Sequence, residues 1–164
     1  MPLIKGGRFV EDEWRHLDDA EPVTPAEEFT VSHRRWLQER ARLAASTLRL
    51  GLRLPNDAAL TSLAEDFARF DLVVLDFPRF TDGRAYSQAR LIRGRFGYRG
   101  ELRAAGEVLR DQLLFMQRCG IDAFAVPPRA VGENWLSAFA DFDVFYQPSE
   151  DRRPSTMQRR RGIV

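Results

Sequence analysis

The chain has 164 residues, 44% of them hydrophobic and 30% charged, and a net charge of +1. This length supports one well-buried core, and a charge so close to neutral excludes the global basic field of a nucleic-acid-binding protein. Because Cys119 is the only cysteine and no apolar run approaches 18 residues, we expect a cytoplasmic protein without a disulfide, a metal site or a membrane span.

The first 30 residues predict a hairpin followed by an acidic linker. Two short apolar pieces flank the pair of glycines at 6–7, which suits a tight hairpin turn. Residues 18–25 contain prolines and acids and have no hydrophobic periodicity, as expected of a linker. Residues 31–45 then show the apolar stripe of an amphipathic helix, with Thr30 or Ser32 as its predicted N-cap.

Strand and helix patterns alternate four times in the middle of the chain. Apolar segments typical of strands begin near residues 48, 72, 101 and 121, and each is followed by a turn and a helical pattern. Such alternation favours parallel strands joined by right-handed crossovers. The sequence therefore predicts an α/β fold with a small, mostly parallel sheet of about four β-α units, either open or curled like half of a barrel.

This α/β domain is expected to span residues 1–148, with the N-terminal hairpin and helix beside the sheet. Residues 149–164 are rich in Pro, Ser and Arg and have no apolar face. We expect them to form a disordered basic tail.

Seven arginines lie between residues 79 and 103, where only Asp82 and Glu101 are acidic. Turns that follow parallel strands gather at the carboxyl edge of a sheet, where α/β folds bind ligands. Asp82 is also the predicted N-cap of the next helix. We therefore expect an anion site at this edge, with arginines that clamp an oxyanion and carboxylates that transfer a proton. Its predicted members are Arg79, Asp82, Arg84, Arg103 and Glu107.

The same stretch also predicts a protein-binding surface. Tyr86, Arg90 and Arg93 share an outer arc of the predicted helix, and Arg99 lies just beyond it. Arginines with an exposed tyrosine as anchor suit contact with an acidic partner. In a third, purely structural interpretation the arginines pair with acids at the turns, and all three interpretations stay open.

Residues 76–90, 97–104, 106–113 and 118–120 together resemble the signature of a bacterial domain of unknown function, family nine-three-four. Its members are often labelled as probable oxidoreductases or accessory proteins of sulfite reduction, because their genes usually lie beside those of assimilatory sulfite reductase and phosphoadenylyl-sulfate reductase. The resemblance implies a role in sulfur assimilation, with one of these enzymes as the partner. It supplies no catalytic residues.

The sequence contains no cofactor motif that would support the oxidoreductase label. Gly94, Gly97 and Gly100 end a predicted helix, which is the wrong context for a dinucleotide-binding loop. Cys119 falls on the apolar arc of a helix, as expected of a buried structural thiol. The favoured hypothesis is an accessory protein that acts through a surface on the sulfite reductase machinery, and the alternative is an oxyanion-binding enzyme or sensor. Catalysis, cofactor and oligomeric state stay open.

Overall fold

Eight strands form one sheet in the computed structural model, which describes residues 1–24, 28–132, 134–151 and 153–162. The strands are β1 (Leu3–Lys5), β2 (Arg8–Val10), β3 (Arg15–His16), β4 (Phe29–Ser32), β5 (Leu50–Leu54), β6 (Leu72–Phe77), β7 (Glu101–Gly106) and β8 (Ala123–Ala125). They lie in the order β2-β1-β8-β7-β6-β5-β4-β3. All neighbours from β3 to β8 are parallel, and β1 and β2 add the predicted antiparallel hairpin. The prediction of a mostly parallel α/β sheet is confirmed.

The helical segments are shorter than the sequence pattern predicts. The α-helices are α1 (His33–Ala44), α2 (Arg84–Arg90), α3 (Leu113–Arg118) and α4 (Thr156–Arg160); 3-10 turns span Leu60–Leu63, Phe67–Arg69, Arg110–Gln112, Pro128–Gly132 and Leu136–Ala140. Between β5 and β6, two 3-10 turns replace the predicted helix. Asp66 between them accepts hydrogen bonds from Trp36 Nε1 (2.8 Å) and Arg40 Nη2 (2.7 Å) of α1. These tertiary contacts override the helical propensity of the segment.

The crossover segments of β4 to β8 all pack on one face of the sheet. Along β6, Val73, Leu75 and Phe77 point to this face and are fully buried. They share a core with Trp36 of α1, which has no exposed surface, and with Ala89 of α2. Helices on a single face are the arrangement of a β/α barrel, whereas doubly wound sheets carry helices on both faces.

The chain connection between the two edge strands shows why the sheet must curl. β2 and β3 are the outermost strands, yet only residues 11–14 separate them. Eight flat strands would place these edges about 34 Å apart, whereas five peptide steps reach roughly 18 Å. The sheet is therefore open but strongly curled, in the half-barrel form that the sequence allowed. We call the face opposite the helices the concave face.

The first turn of α1 is stabilised by the predicted N-cap. Ser32 Oγ accepts a hydrogen bond from the backbone N–H of Arg35 (3.0 Å), and Ser32 has the extended backbone of a cap residue. The predicted helix over residues 31–45 is thereby confirmed, although β4 takes up its first two residues.

We expect Ser32→Ala to lower the free energy of unfolding by about 1 kcal/mol, because the N–H of Arg35 then loses its acceptor. Urea denaturation of the two proteins measures the difference. Ser32→Thr keeps both an acceptor for this N–H and the hydroxyl that donates to Asp19 Oδ1, and it is expected to recover most of the loss. Equal stability of Ser32→Ala and the original protein would show that the cap contributes nothing.

Part of the region predicted as a disordered tail lies against α3. Ser149 Oγ donates to the carbonyl of Arg118 (2.6 Å), and Asp151 Oδ2 lies 3.3 Å from Arg118 Nε. Further on, Ser155 and Gln158 form a capping box at the start of α4. The composition of this stretch offers no apolar face, and its contacts are accordingly polar.

Candidate functional site

The turns that follow β5, β6 and β7 meet at the carboxyl edge of the sheet, as the sequence predicts. Gln88 Nε2 of α2 donates to the carbonyl of Pro55 (3.0 Å), and the backbone N–H of Phe80 donates to Glu107 Oε2 (2.9 Å). Gly106 ends β7 with φ +100°, and a Cβ there would collide with the carbonyl oxygen of Phe77. Glycine is needed at this position because both the conformation and the close approach exclude a side chain.

Asp82 and Arg84, two members of the predicted anion site, bind each other. Arg84 Nη2 lies 2.7 Å from Asp82 Oδ2, and Arg84 Nε donates to Asp82 Oδ1 (3.0 Å). These hydrogen bonds hold the pKa of Asp82 well below its usual range. The lowered pKa makes Asp82 a weak base and leaves it without a proton to donate at neutral pH, so it is a poor proton-transfer group.

The N-cap of α2 is Gly83, one residue later than predicted. Asp82 still stabilises the helix start, because its Oδ1 accepts a hydrogen bond from the backbone N–H of Arg84 (3.2 Å). The short carboxylate side chain reaches an amide two residues ahead, as Asp commonly does in turns.

Arg103 lies away from the carboxyl edge, which corrects its expected position beside Arg79 and Arg84. It precedes the end of β7 by three residues and points to the concave face, whereas α2 packs on the opposite face. Only 2% of its side chain is exposed, and it contacts Asp12 Oδ1 (2.8 Å) and Glu101 Oε1 (2.7 Å). Strand alternation is the reason, because Leu102 and Ala104 occupy the helix-covered face.

The remaining members of the predicted anion site, Arg79 and Glu107, do lie at the edge. Arg79 is exposed, and its carbonyl accepts the N–H of Asp82 (2.9 Å). The Glu107 carboxylate binds the N–H of Phe80 and so connects the two loops. Of the two exposed arginines among the predicted members at this edge, Arg84 is therefore paired with Asp82, and Arg79 has no ion-pair partner among the described residues.

Tyr86 and Arg90, of the predicted partner-binding set, lie at the surface between α2 and α3. Tyr86 is half-buried, with its ring 5.1 Å from that of Phe77 and 5.0 Å from that of Phe115. Burial raises the pKa of Tyr86 to about 12. Arg90 is exposed, as is Arg99 beyond the helix.

Phe115 of α3 is 56% exposed. α3 contains only six residues, and it buries Leu113 and Met116 against the sheet. Phe115 lies outside that narrow buried stripe. Its exposure creates an aromatic surface beside Tyr86 that helical periodicity did not reveal.

The prediction that Arg93 lies on an exposed arc with Arg90 is wrong. Only 11% of its side chain is exposed; Nε donates to the carbonyl of Gly120 (2.8 Å), and Nη1 donates to those of Tyr98 and Gly100 (both 2.9 Å). Arg93 also forms an ion pair with Asp122.

A π-turn over Leu91–Arg95 explains the error. Phe96 N–H donates to the carbonyl of Leu91, five residues earlier (3.0 Å), so the helix widens after α2. From Leu91 onward, Arg93 included, side chains therefore no longer point in the directions that α-helical spacing predicts.

A groove at the carboxyl end of the concave face contains residues that sequence reasoning missed. It encloses about 540 Å³ and is lined by Ser32, His33, Arg53, Val74, Asp76 and Ala105, among others. The alternation of polar and apolar residues along β5 and β6 could have revealed these residues. Arg53 lies between Leu52 and Leu54, and Asp76 between Leu75 and Phe77, and those apolar neighbours face the helices.

Electrostatically, the groove combines two arginines, Arg34 and Arg53, with a carboxyl group and an imidazole. Arg53 Nη2 donates to the carbonyl of Leu17 (2.7 Å), while Arg53 Nε has no hydrogen-bond partner among the described residues. Burial raises the pKa of Asp76 and lowers the pKa of His33, so His33 is neutral near pH 7.

Cys119 is buried, as predicted, and burial raises the pKa of its thiol. Within the described ranges, no three His, Cys, Asp or Glu side chains converge in a way that could hold a metal ion. None of the described helices is long and apolar enough to cross a bilayer.

One protein family matches this chain. The model of the family described as "Bacterial protein of unknown function (DUF934)" matches residues 51–157, from β5 into α4. No curated protein shows a significant match. The matched span contains the whole arginine-rich stretch and covers more than half of the 164 residues. The chain therefore belongs to the DUF934 family of bacterial proteins of unknown function.

Proposed function

We propose that this protein is an accessory protein of assimilatory sulfite reduction that binds sulfite reductase or phosphoadenylyl-sulfate reductase in the cytoplasm. The pathway rests on the resemblance of residues 76–120 to a family whose genes accompany those enzymes. The observation that supports a docking role is the exposure of Phe115 between Tyr86 and a second exposed aromatic, Phe142.

The proposed docking surface consists of Tyr86, Arg90, Phe115 and Phe142, and we call it the α2–α3 surface. Phe115 and Phe142 border a notch of about 250 Å³, which has room for one side chain of a partner. Phe142 is 67% exposed. Aromatic residues and arginine are the types enriched at the centres of protein interfaces.

The charge around this surface is mixed, because Asp111 and Asp141 line the notch while Arg90 lies beside it, so the partner is expected to present both signs of charge. Arg90 is exposed and projects from α2 next to the aromatic residues. Arg93, which was predicted to share this role, is instead bound to Asp122 and to backbone carbonyls. A carboxylate on the partner would thus meet Arg90 at the edge of an apolar contact, where charge contributes mainly to association rate and specificity.

The alternative hypothesis, an oxyanion-binding enzyme or sensor with its site at the carboxyl edge, has less support from the positions of its residues. It requires Arg79, Arg84 and Arg103 to clamp one anion, but Asp82 already binds Arg84, and Arg103 is enclosed with two carboxylates on the other face of the sheet.

Growth on different sulfur sources tests the proposal. Cells that lack the protein are expected to grow poorly on sulfate or sulfite and to recover on cysteine, because the defect precedes sulfide incorporation. The double variant Arg90→Glu, Phe115→Ser is expected to fail to restore growth and to lose co-purification with the reductase. Both side chains are largely exposed, so the variant should stay folded.

Arg8→Glu is the matched control, because Arg8 is exposed on the edge strand β2, away from both the α2–α3 surface and the groove on the concave face. It is expected to restore growth fully. Normal growth of the deletion strain on sulfate, with no second copy of the gene, would remove the sulfur assignment. Full complementation by the double variant would remove the α2–α3 surface as the docking site.

A further inference from the structure

The groove at the carboxyl end of the concave face contains two charged groups that lack counter-charges. Arg53 projects into it from β5 and Asp76 from β6, on the face that the helices leave open. This is also the position at which β/α barrels and related sheets bind their ligands.

Arg53 is held in place but is not neutralised. Its Nη2 donates to the carbonyl of Leu17, and among the described residues no carboxylate lies within ion-pair distance of it. The side chain is half-buried, so its orientation is fixed while its remaining terminal nitrogen is left for a ligand. A guanidinium in this state offers planar donors that match a carboxylate or another oxyanion.

Asp76 is likewise without a cation in the described part of the chain. Only burial perturbs its pKa, and the direction is upward. It pairs in register with Ala105 of β7, whose small side chain leaves the carboxylate open to the groove. A carboxylate of this kind accepts a hydrogen bond from a hydroxyl or ammonium group.

The spacing of the two residues suits the two ends of one small molecule. Arg53 pairs with Val74, and Asp76 lies two residues further along β6. One strand across and two residues along corresponds to about 8 Å between the Cα atoms. Val74 and Ala105 provide an apolar floor between the charges.

Other arginines of this protein show what a structural role looks like here. Arg84, Arg93 and Arg103 each contact a carboxylate of the same chain. A half-buried charge without such a partner lowers stability. Arg69, however, is half-buried and, among the described residues, bound only to the carbonyls of Ser46 and Leu48 and to a hydroxyl, so the case for a ligand rests on Arg53 and the exposed Asp76 opening into one groove.

We propose that this groove binds a small organic acid, with its anionic group on Arg53 and a hydroxyl or amino group donating to Asp76. The inference goes beyond the docking role, because the groove and the α2–α3 surface lie on opposite faces of the sheet.

The test uses three probes that differ at one position: propionate, 2-hydroxypropionate and 2-aminopropionate. Binding to the full chain is followed by NMR, through the backbone amides of β5 and β6 and the Arg53 Nε–H signal. The two substituted acids are expected to bind more tightly than propionate. Asp76→Asn should weaken the substituted acids about tenfold, as loss of a charge-assisted hydrogen bond does, and leave propionate unchanged.

Arg53→Gln should abolish binding of all three probes, while Arg84→Gln, outside the groove, should bind them like the original protein. Asp76 is exposed, so the Asp76→Asn protein remains informative even if Arg53→Gln fails to fold. The proposal is overturned if no probe shifts these signals, or if Asp76→Asn affects propionate as much as the substituted acids. Growth and co-purification do not enter this readout, so the docking proposal can fail independently.

Discussion

Replacement of Arg103 by methionine is expected to lower the free energy of unfolding by about 3–5 kcal/mol, the usual cost of removing one partner from a buried ion pair. Methionine keeps much of the aliphatic volume but leaves Asp12 and Glu101 without the guanidinium that lies between them. Asp12 belongs to the four-residue connection between the edge strands β2 and β3. The substitution therefore weakens the contact that holds this connection to the concave face.

Urea denaturation measures this loss, with Arg99→Met as the control. Arg99 is exposed, and its replacement should change stability by less than about 0.5 kcal/mol. Equal stability of the Arg103→Met and Arg99→Met proteins would contradict an anchoring role for Arg103.

The destabilisation by Arg103→Met should also depend on pH. Burial alone would raise the pKa of Asp12, but hydrogen bonds from His16 and Arg103 hold it well below its ordinary value of 3.8. The pKa of Asp12 is lower in the folded protein than in the unfolded protein. The stabilisation from its contact with Arg103 is therefore fully present at a pH above the unfolded-state pKa, and it is lost as the pH falls toward the folded-state pKa. The stability difference between the original protein and Arg103→Met should thus shrink steadily below about pH 4. A constant difference between pH 7 and pH 2 would show that the Asp12 contact is not the cause.

Arg93→Glu is expected to destabilise the protein by about 3–5 kcal/mol. The Arg93 guanidinium joins the carbonyls of Tyr98, Gly100 and Gly120, which flank the starts of β7 and β8, and it pairs with Asp122. Glutamate would place a second carboxylate beside Asp122 and leave the three carbonyls without a donor.

Arg90→Glu on α2 is the matched comparison for Arg93→Glu, since Arg90 is exposed and its reversal should change stability little. Thermal or urea unfolding of the two single variants distinguishes them directly. If both were equally stable, the contacts of Arg93 would not contribute to folding.

Local sequence patterns predicted those elements whose stability comes from neighbouring residues. Ser32 was one of two predicted N-caps, beside Thr30, and it caps the helix because its side chain bonds an amide three residues ahead. The apolar run over β6 predicted a buried strand with correct ends, and the glycines at 6–7 predicted the hairpin of β1 and β2. These signals act within a few residues, so one sequence contains them in full.

The predictions that failed depend on contacts between distant segments. β3 lies just before the predicted linker, and β4 overlaps the predicted start of the helix. β4 is a strand because the edge of β5 offers it hydrogen-bonding partners, and β4 in turn offers partners to β3. The π-turn after α2 moved Arg93 from the surface to the β7–β8 junction. Neither event has a signature in hydrophobic periodicity.

The alternation of strands and helices along the chain was sufficient to predict a parallel sheet with its turns at one edge, because short crossovers allow few other arrangements. The curl of the sheet and the alternation of side chains between its two faces determined which side chains meet. This alternation places Arg103 on the concave face with Asp12, 91 residues away, and it places Arg53 and Asp76 in a common groove. Such pairings depend on the register between strands far apart in the chain, and a residue type on its own contains no information about register.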